Sequence, residues 1–286
     1  MGNEIFVSKH HGLGNDFLVL LDMADRFRFT SLEIRALLDR RIGIGSDGFI
    51  RAFPARPDSQ AVASMELHNS DGTRAEMSGN GIRCLAQALI DADIAPHGVF
   101  SIDTDAGLIE IQSGSSAGDT IATVSVGMGM PQIKEISGLR QLGHRFKGVR
   151  VDIGNPHLVL IPEFELSVEG LNDLDIAKLG PELESKFPGG MNVEWILVMP
   201  NRKDVHLRVW ERGAGITQAC GTGTTASSFV ANHLGLAEEQ VTVHNPGGDL
   251  MVNIGNDQCY LTGPAQKVGE IQVSAKQLRD MVLLVK

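Results

Sequence analysis

A short turn of the form X-Gly-polar-Gly occurs twice in this chain, each time followed by a stretch that carries almost no charge. The turns are Ser-Gly-Asn-Gly at residues 78–81 and Cys-Gly-Thr-Gly at residues 220–223, about half the chain length apart. A glycine-rich turn before an uncharged run is typical of the start of a buried helix. The repeat therefore predicts an internal duplication, with one such helix at the centre of each of two halves.

The segments around these turns are mostly short, β-patterned runs separated by glycine and aspartate. Residues 100–104 and 107–112 flank an Asp-Ala-Gly turn and predict a hairpin. A capping box at Thr30 and Glu33 predicts a helix, which Gly43 is expected to end. We therefore expect an α+β fold of two pseudo-symmetric β-rich halves. The expected halves are residues 1–127 plus 266–286, which carry Ser78, and residues 128–265, which carry Cys220.

The composition, with 42% hydrophobic and 21% charged residues, is that of a soluble globular protein. A net charge of −10 argues against a nucleic-acid surface. No run approaches the roughly 18 apolar residues that span a bilayer, and the N-terminus lacks a signal-peptide pattern. Three cysteines without metal-ligand spacing indicate a reducing compartment and no metal site. These features predict a cytoplasmic enzyme or binding protein without a nucleic-acid or membrane partner.

The two turns can bind an anion and move a proton. A helix start leaves backbone N–H groups free, and its dipole adds positive potential, so a carboxylate can bind there. A thiol at such a position has its pKa lowered from roughly 8.5, which predicts a usable thiolate at Cys220. Inversion of a carbon centre needs a second group on the opposite face, and the duplication puts Ser78 there.

Each of these features also has a plainer interpretation. Most free cysteines are small buried hydrophobes, and on pattern alone Cys220 is as well explained that way. Glycine-rich turns before helices also bind phosphates or bind nothing. His157 can be a loop histidine, and Arg212 beside Glu211 can be an exposed ion pair that contributes little. We assign Cys84 and Cys259 to structure.

Six ordered blocks of polar residues and glycines span most of the chain. They are His-Gly-Leu-Gly-Asn-Asp-Phe at residues 11–17, Asn-Ser-Asp-Gly at 69–72 with Met-Ser-Gly-Asn-Gly-Ile-Arg-Cys at 77–84, Gly-Asn-Pro-His at 154–157, Asn-Val-Glu at 192–194, Glu-Arg-Gly-Ala-Gly at 211–215 with Ala-Cys-Gly-Thr-Gly at 219–223, and Leu-Thr-Gly-Pro-Ala at 261–265. Together they resemble diaminopimelate epimerase, a family within the proline racemase-like superfamily of cofactor-independent racemases.

The resemblance implies two-base proton transfer without pyridoxal phosphate, interconverting LL- and meso-diaminopimelate on the way to lysine and peptidoglycan. It implies an active site in the cleft between the two halves, each wrapped around its central helix, and a homodimer is a further expectation. Cys220 and Ser78 would flank the α-carbon, with Glu211 and His157 beside it. The resemblance assigns the distal end of the substrate to Asn69, Asn155, Asn192 and Arg212, with Asn15 in the same pocket, and the α-carboxylate to the backbone N–H groups of Gly79, Asn80, Gly221 and Thr222.

Two positions depart from the family pattern. Ser78 stands where the family has cysteine, and a hydroxyl is a poorer acid and base near pH 7, so a weakened enzyme is expected. Ile216 stands where the family usually has glutamate, which removes one polar contact. Three accounts of Ser78 stay open: an engineered change, a natural variant like the serine and cysteine pair of hydroxyproline epimerases, or a degraded enzyme that binds without turnover.

Two alternative functions follow from these departures. One is racemisation of another amino acid, such as histidine or hydroxyproline, on the same scaffold. The other is a substrate-binding protein without catalysis. The complete set of residues for the distal end of the substrate favours diaminopimelate over another amino acid, and the binding protein stays open.

Overall fold

A computed structural model describes residues 4–114, 121–141 and 144–285. Within these ranges the chain forms seventeen strands and six helices, and none of those helices is long and apolar enough to cross a membrane. The strands are β1 (Glu4–Gly12), β2 (Asn15–Leu21), β3 (Gly48–Phe53), β4 (Ala63–Asn69), β5 (Arg74–Ala75), β6 (Gly98–Thr104), β7 (Gly107–Ser113), β8 (Ile121–Gly127), β9 (Gln132–Gln141), β10 (His144–Asp152), β11 (Pro156–Pro162), β12 (Asn192–Val198), β13 (Asp204–Glu211), β14 (Gly215–Ile216), β15 (Gln240–Asn245), β16 (Gly248–Ile254) and β17 (Cys259–Ser274). The helices are α1 (Ser31–Leu38), α2 (Gly79–Asp91), α3 (Val168–Asn172), α4 (Ile176–Glu184), α5 (Gly221–His233) and α6 (Ala275–Leu284).

The chain divides into two compact units, and it passes from one to the other twice. Unit 1 comprises Met1–Val126 and Gly263–Lys286, and unit 2 comprises Gly127–Thr262. Strand β17 therefore begins in unit 2 and ends in unit 1.

Unit 1 is an eight-strand barrel. Strands β1 and β2 pair antiparallel, β2 and β3 parallel, β3 and β4 antiparallel, and β4 and β6 parallel. The antiparallel pairs β6–β7 and β7–β8 follow, and β17 closes the barrel by pairing with both β8 and β1. Helix α2 packs against β1, β2 and β3 and is buried from Gly79 to Ile90, in keeping with a sequence in which Arg83 is the one charged residue of that stretch.

Unit 2 repeats this succession of pairings. Strands β10 and β11 pair antiparallel, β11 and β12 parallel, β12 and β13 antiparallel, and β13 and β15 parallel. The antiparallel pairs β15–β16 and β16–β17 follow, and the mostly buried α5 packs against β10 to β13, β15 and β16. The predicted α+β fold, with two pseudo-symmetric β-rich halves that each surround a helix, is confirmed.

An outer apolar layer holds the strands of each unit in place. In unit 1, α1 and α6 bury Ile34, Leu37 and Leu278 together with side chains of β1 to β3. In unit 2, α3 and α4 pack around Trp195 of β12 and Phe146 of β10. Each fully buried side chain of this size contributes about 1.5–3 kcal/mol of gross hydrophobic free energy, so these layers fix the strands that carry polar residues.

The local predictions were right about turns and caps but wrong about one helix end. The hairpin is present as β6 and β7, and the capping box at Thr30 is complete. However, α1 ends at Leu38 rather than near Gly43. Asp39 ends it, because its carboxylate accepts hydrogen bonds from the N–H groups of Arg41 and Ile42 and so stabilises a turn instead of another helical turn.

Candidate active site

Ser78 begins helix α2 in unit 1. Its backbone is extended (φ −140°, ψ 124°), and its Oγ accepts a hydrogen bond of 3.1 Å from the Gly81 N–H. This N-cap satisfies one of the four N–H groups that a helix start leaves without an intrahelical partner. The hydroxyl therefore lies at the positive end of the α2 dipole.

Cys220 holds the same position at helix α5 in unit 2. Its backbone is also extended (φ −117°, ψ 114°), and its Sγ accepts a hydrogen bond of 3.3 Å from the Gly223 N–H. The Oγ1 of Thr222 lies 3.4 Å from the sulfur. Position 223 is crowded, because a Cβ there would lie 2.6 Å from Oε1 of Glu194 and 3.3 Å from the sulfur, so that the carboxylate would have to shift.

The sequence-based prediction of a lowered thiol pKa was wrong. Burial, and then the charges of Glu211 and Glu194, raise the pKa of Cys220 well above its ordinary value, although the Thr222 hydroxyl and the Gly223 N–H act the other way. A helix dipole contributes about 0.3–1 kcal/mol at its end, whereas burial can shift a pKa by several units. In the free protein, Cys220 is therefore a thiol near neutral pH.

Glu211 is an acidic partner of this thiol. Burial raises the pKa of the Glu211 carboxyl, while hydrogen bonds from the Thr217 hydroxyl and the Cys220 thiol oppose the shift. A carboxyl that holds its proton unusually tightly beside a thiol is a common feature of sites that transfer protons.

His157 stands in a chain of polar contacts that ends at Cys220. Its Nδ1 lies 2.7 Å from Oε1 of Glu194, with both side chains fully buried. Its Nε2 lies 3.0 Å from Oδ1 of Asn155, whose Nδ2 lies 3.5 Å from the Thr222 hydroxyl beside the sulfur. The structure thus brings four predicted site residues of unit 2 together around one thiol.

Asn192 and Arg212 form a second pair in unit 2. Asn192 donates from Nδ2 to the Pro156 carbonyl at 2.9 Å and accepts at Oδ1 from the Arg212 N–H at 2.9 Å. The Arg212 guanidinium donates to the Gly189 carbonyl at 3.0 Å and is exposed, so a charged donor is held next to a buried amide. Ile216, which departs from the family pattern, is 44% exposed on the short strand β14.

In unit 1, Asn15 and Asn80 are joined to each other. The Nδ2 of Asn80 donates to Oδ1 of Asn15 at 3.1 Å, and Asn15 in turn donates to Asp47 at 2.9 Å. Asn69 is exposed at the end of β4, where its Nδ2 donates to the Thr73 hydroxyl at 3.1 Å. The three asparagines predicted for unit 1 therefore form one linked pair and one separate amide.

Two buried charged residues near the turns were missed by the sequence analysis. Arg83, fully buried in α2, donates to the Gly79 and Pro264 carbonyls and to Oδ1 of Asn80. Glu194 lies buried in β12 beneath Cys220. Both fall inside the blocks that carry the resemblance, but only burial, which a single sequence does not display, distinguishes them from surface charges. Among the described residues, no group of three or more His, Cys, Asp or Glu could hold a metal ion.

Known proteins similar to this chain were found by sequence and by structure. The diaminopimelate epimerase family model matches residues 7–134 and 149–268. Diaminopimelate epimerase of Desulfitobacterium hafniense is 39% identical, over 92% of this chain and 95% of its own. That of Corynebacterium glutamicum is 36% identical, over 96% and 100%. A probable proline racemase of Agrobacterium radiobacter, solved with bound carbonate, superposes with a TM-score of 0.74 at 17% identity, covering 97% of this chain and 95% of its own.

These comparisons separate fold from family. At 17% identity, the proline racemase shows a shared fold alone, and so does a hydroxyproline epimerase of Agrobacterium vitis, with a TM-score of 0.72 over 96% and 94% of the two chains. The comparisons bear out neither the predicted weakening by Ser78 nor the alternatives of another amino acid or a non-catalytic binding protein. The matched family model and the relatives above 30% identity agree with each other, and the chain belongs to the diaminopimelate epimerase family of isomerases.

Proposed function

We propose that this protein interconverts LL- and meso-diaminopimelate by two-base proton transfer, with Cys220 and Ser78 as the acid and base groups. The observation that carries the proposal is their equivalence: each is the N-cap of a buried helix in a unit with the same succession of strands. One group takes the α-proton as the C–H bond breaks, and the electron pair spreads into the α-carboxylate. The other group then delivers a proton to the opposite face, so the centre inverts.

The backbone at the two turns suits the α-carboxylate. The N–H groups of Gly79 and Asn80, and those of Gly221 and Thr222, lie in the first turns of α2 and α5, where the helix dipole favours negative charge. Donors placed at developing negative charge stabilise a carbanion more than they stabilise the substrate, which lowers the barrier to proton removal.

The side chains around each turn suit the other polar groups of a diamino acid. Glu211 and His157 would order the ammonium group beside the reacting carbon. Asn15, Asn69, Asn155, Asn192 and Arg212 would hold the distal amino-acid end. The hydrogen bonds that already fix Asn192 against Arg212 and Asn80 against Asn15 support this assignment, because groups held in place cost less entropy on binding. No cofactor takes part in this proposal, and we expect a cytoplasmic homodimer.

The test is exchange of the α-proton with solvent deuterium, followed by NMR on LL- and on meso-diaminopimelate, together with optical assay of inversion. The proposal expects solvent-derived deuterium at the α-carbon and inversion of both isomers. L-Lysine and L-ornithine serve as matched controls, because each lacks the distal carboxylate and should exchange far more slowly. Preference for a monocarboxylic amino acid would refute the assigned substrate. No exchange with any amino acid would refute the reaction.

A further inference from the structure

Glu194 is a fully buried carboxylate, and one of its oxygens has no hydrogen-bond partner among the described residues. It lies in the middle of β12 opposite Val159 and Val209 of the neighbouring strands. Its Oε1 contacts His157, whereas its Oε2 is buried and unpaired within residues 4–114, 121–141 and 144–285. Burying an incompletely bonded carboxylate costs several kcal/mol, so this position is unfavourable for stability alone.

The carboxylate of Glu194 lies against the turn that carries Cys220. Oε1 would be 2.6 Å from a Cβ on Gly223, so it occupies the space directly over that glycine. The Gly223 N–H is the group that holds the Cys220 sulfur. Glu194 therefore packs against the donor that fixes the position of the thiol.

Glu194 also orients the His157 ring. A carboxylate only accepts hydrogen bonds, so at 2.7 Å the Nδ1 of His157 must donate. Nε2 faces the Oδ1 of Asn155 at 3.0 Å, and the Nδ2 of the same amide lies 3.5 Å from the Thr222 hydroxyl beside the sulfur. Glu194 thus reaches Cys220 along two routes, through Gly223 and through His157.

We propose that Glu194 is a positioning residue for Cys220, which holds the thiol and the His157 ring in place and adds negative charge beneath them. The inference rests on the proposed function of Cys220 as an acid and base. Glu194 touches neither the sulfur nor any reacting atom in this proposal, and it acts through Gly223 and through His157.

The charge of Glu194 has a chemical effect as well as a geometric one. The titratable groups around the thiol are Glu211 from β13, Glu194 from β12 and His157 from β11. Two carboxylates beside a thiol make the thiolate rarer but more strongly basic, which suits removal of a weakly acidic α-proton. Without the charge of Glu194, more thiolate forms at a given pH, and each thiolate is a weaker base.

The decisive variant is Glu194→Gln, which keeps the size and one acceptor but removes the charge. We expect iodoacetamide to alkylate Cys220 at least threefold faster at pH 8, with sites mapped by mass spectrometry, because the thiolate fraction rises. We expect kcat for inversion to fall about tenfold, with KM within twofold, as is usual for residues that orient a reacting group. Glu182→Gln, at an exposed ion pair with Lys186, is the matched control and should change neither value.

Further measurements separate positioning from loosened structure. Cys84 and Cys259 are fully buried, so their alkylation reports opening of the protein and should stay slow in every variant. Glu194→Asp keeps the charge but withdraws it from His157, so it should leave Cys220 alkylation near the wild-type rate while kcat falls. If Glu194→Gln does not fold, Glu194→Asp becomes the deciding variant. A kcat equal to that of the wild type in Glu194→Asp overturns the proposal.

An alkylation rate of Cys220 unchanged in Glu194→Gln overturns the proposal whatever happens to kcat. Alkylation needs no substrate, so this result stands apart from the proposed function. If Cys220 is alkylated at the expected relative rates but the wild-type protein exchanges no α-proton, the proposed function is refuted. The role of Glu194 in positioning the thiol is then still supported.

Discussion

The turns at Ser78 and Cys220 share a backbone but have opposite electrostatic surroundings. Beneath the Ser78 turn lies the guanidinium of Arg83, which donates to three neutral oxygens. Burial lowers the pKa of Arg83 to about 10, so it still carries its charge at neutral pH. Beneath the Cys220 turn lie the carboxyl groups of Glu211 and Glu194.

This difference shows how a duplicated fold can acquire two unlike groups. A helix N-terminus supplies the same weak positive potential in both units, and buried side chains then determine what the capping residue can do. A cation below Ser78 favours negative charge at that turn, whereas burial and then the charges of Glu211 and Glu194 raise the pKa of the Cys220 thiol. The chemical asymmetry of the pair therefore comes from residues outside the X-Gly-polar-Gly motif.

The largest expected effect comes from removing either capping group. Ser78→Ala and Cys220→Ala should each lower inversion by about 10²–10⁴-fold, because inversion needs a proton donor and an acceptor on opposite faces. Each variant should keep slow exchange of only one isomer, since the remaining group reaches one face. Deuterium exchange by NMR on each isomer measures this directly.

The matched control is Ser78→Cys, which keeps both the cap and an ionisable hydrogen and should retain inversion. If both alanine variants lose exchange of the same isomer, the two groups do not serve opposite faces. Alanine at either cap should also lower the free energy of unfolding by about 1 kcal/mol, as loss of an N-cap usually does.

A smaller effect is expected at the last glycine of each turn. At Gly223 a Cβ would lie 2.6 Å from the Glu194 carboxylate, in a space closed on both sides, so Gly223→Ala should cost about 1–3 kcal/mol of stability. At Gly81 the nearest atoms, in Ile50, Phe17 and Ser78, lie at 3.2 Å. Alanine there should be near neutral, because its better helix propensity of up to about 1 kcal/mol offsets the crowding.

Urea unfolding of the two glycine variants tests this contrast. Equal losses of stability at the two sites would mean that the Glu194 carboxylate moves aside freely. That result would also weaken its assignment as a positioning residue.

The smallest effects concern pH and have opposite signs in the two units. Although burial opposes the shift, hydrogen bonds from Arg40 and Lys9 lower the pKa of Asp16 in unit 1 to about 2. The stability that Asp16 contributes is therefore present above its unfolded pKa near 4 and is lost as pH falls towards 2. Allowing for the exposure of Arg40, we expect about 1 kcal/mol, or about 2–4 °C in Tm.

Glu211 in unit 2 should show the reverse dependence. Because burial raises the pKa of Glu211, the stability of its protonated form is present below the unfolded pKa and is lost as pH rises through the folded value. The Tm of Glu211→Gln should therefore gain on the wild type as pH rises from 4 to 8, whereas Asp16→Asn should approach the wild type as pH falls from 4 to 2. If the Tm difference from the wild type changed with pH in the same direction in both variants, the contrast between the units would be contradicted.

Much of the fold was predictable because it depends on local signals. The capping box at Thr30, the hairpin at β6 and β7, and the mostly uncharged runs after the two turns all depend on residues close in sequence. The end of α1 was missed because the Asp39 side chain accepts a hydrogen bond from the Arg41 N–H. A further helical turn would have paired that N–H with a backbone carbonyl instead. A glycine in the sequence marks only one of several ways to end a helix.

By itself, the sequence determined the two helix-capping turns, the α+β duplication and the family, since motif order and hydrophobic patterning depend on residue types alone. The tertiary structure decided the charge around each turn. It buried Glu194 and Arg83, brought His157 against Glu194, and raised rather than lowered the pKa of Cys220. Burial and distance set these effects, and both arise only when strands far apart in the sequence pack around one helix.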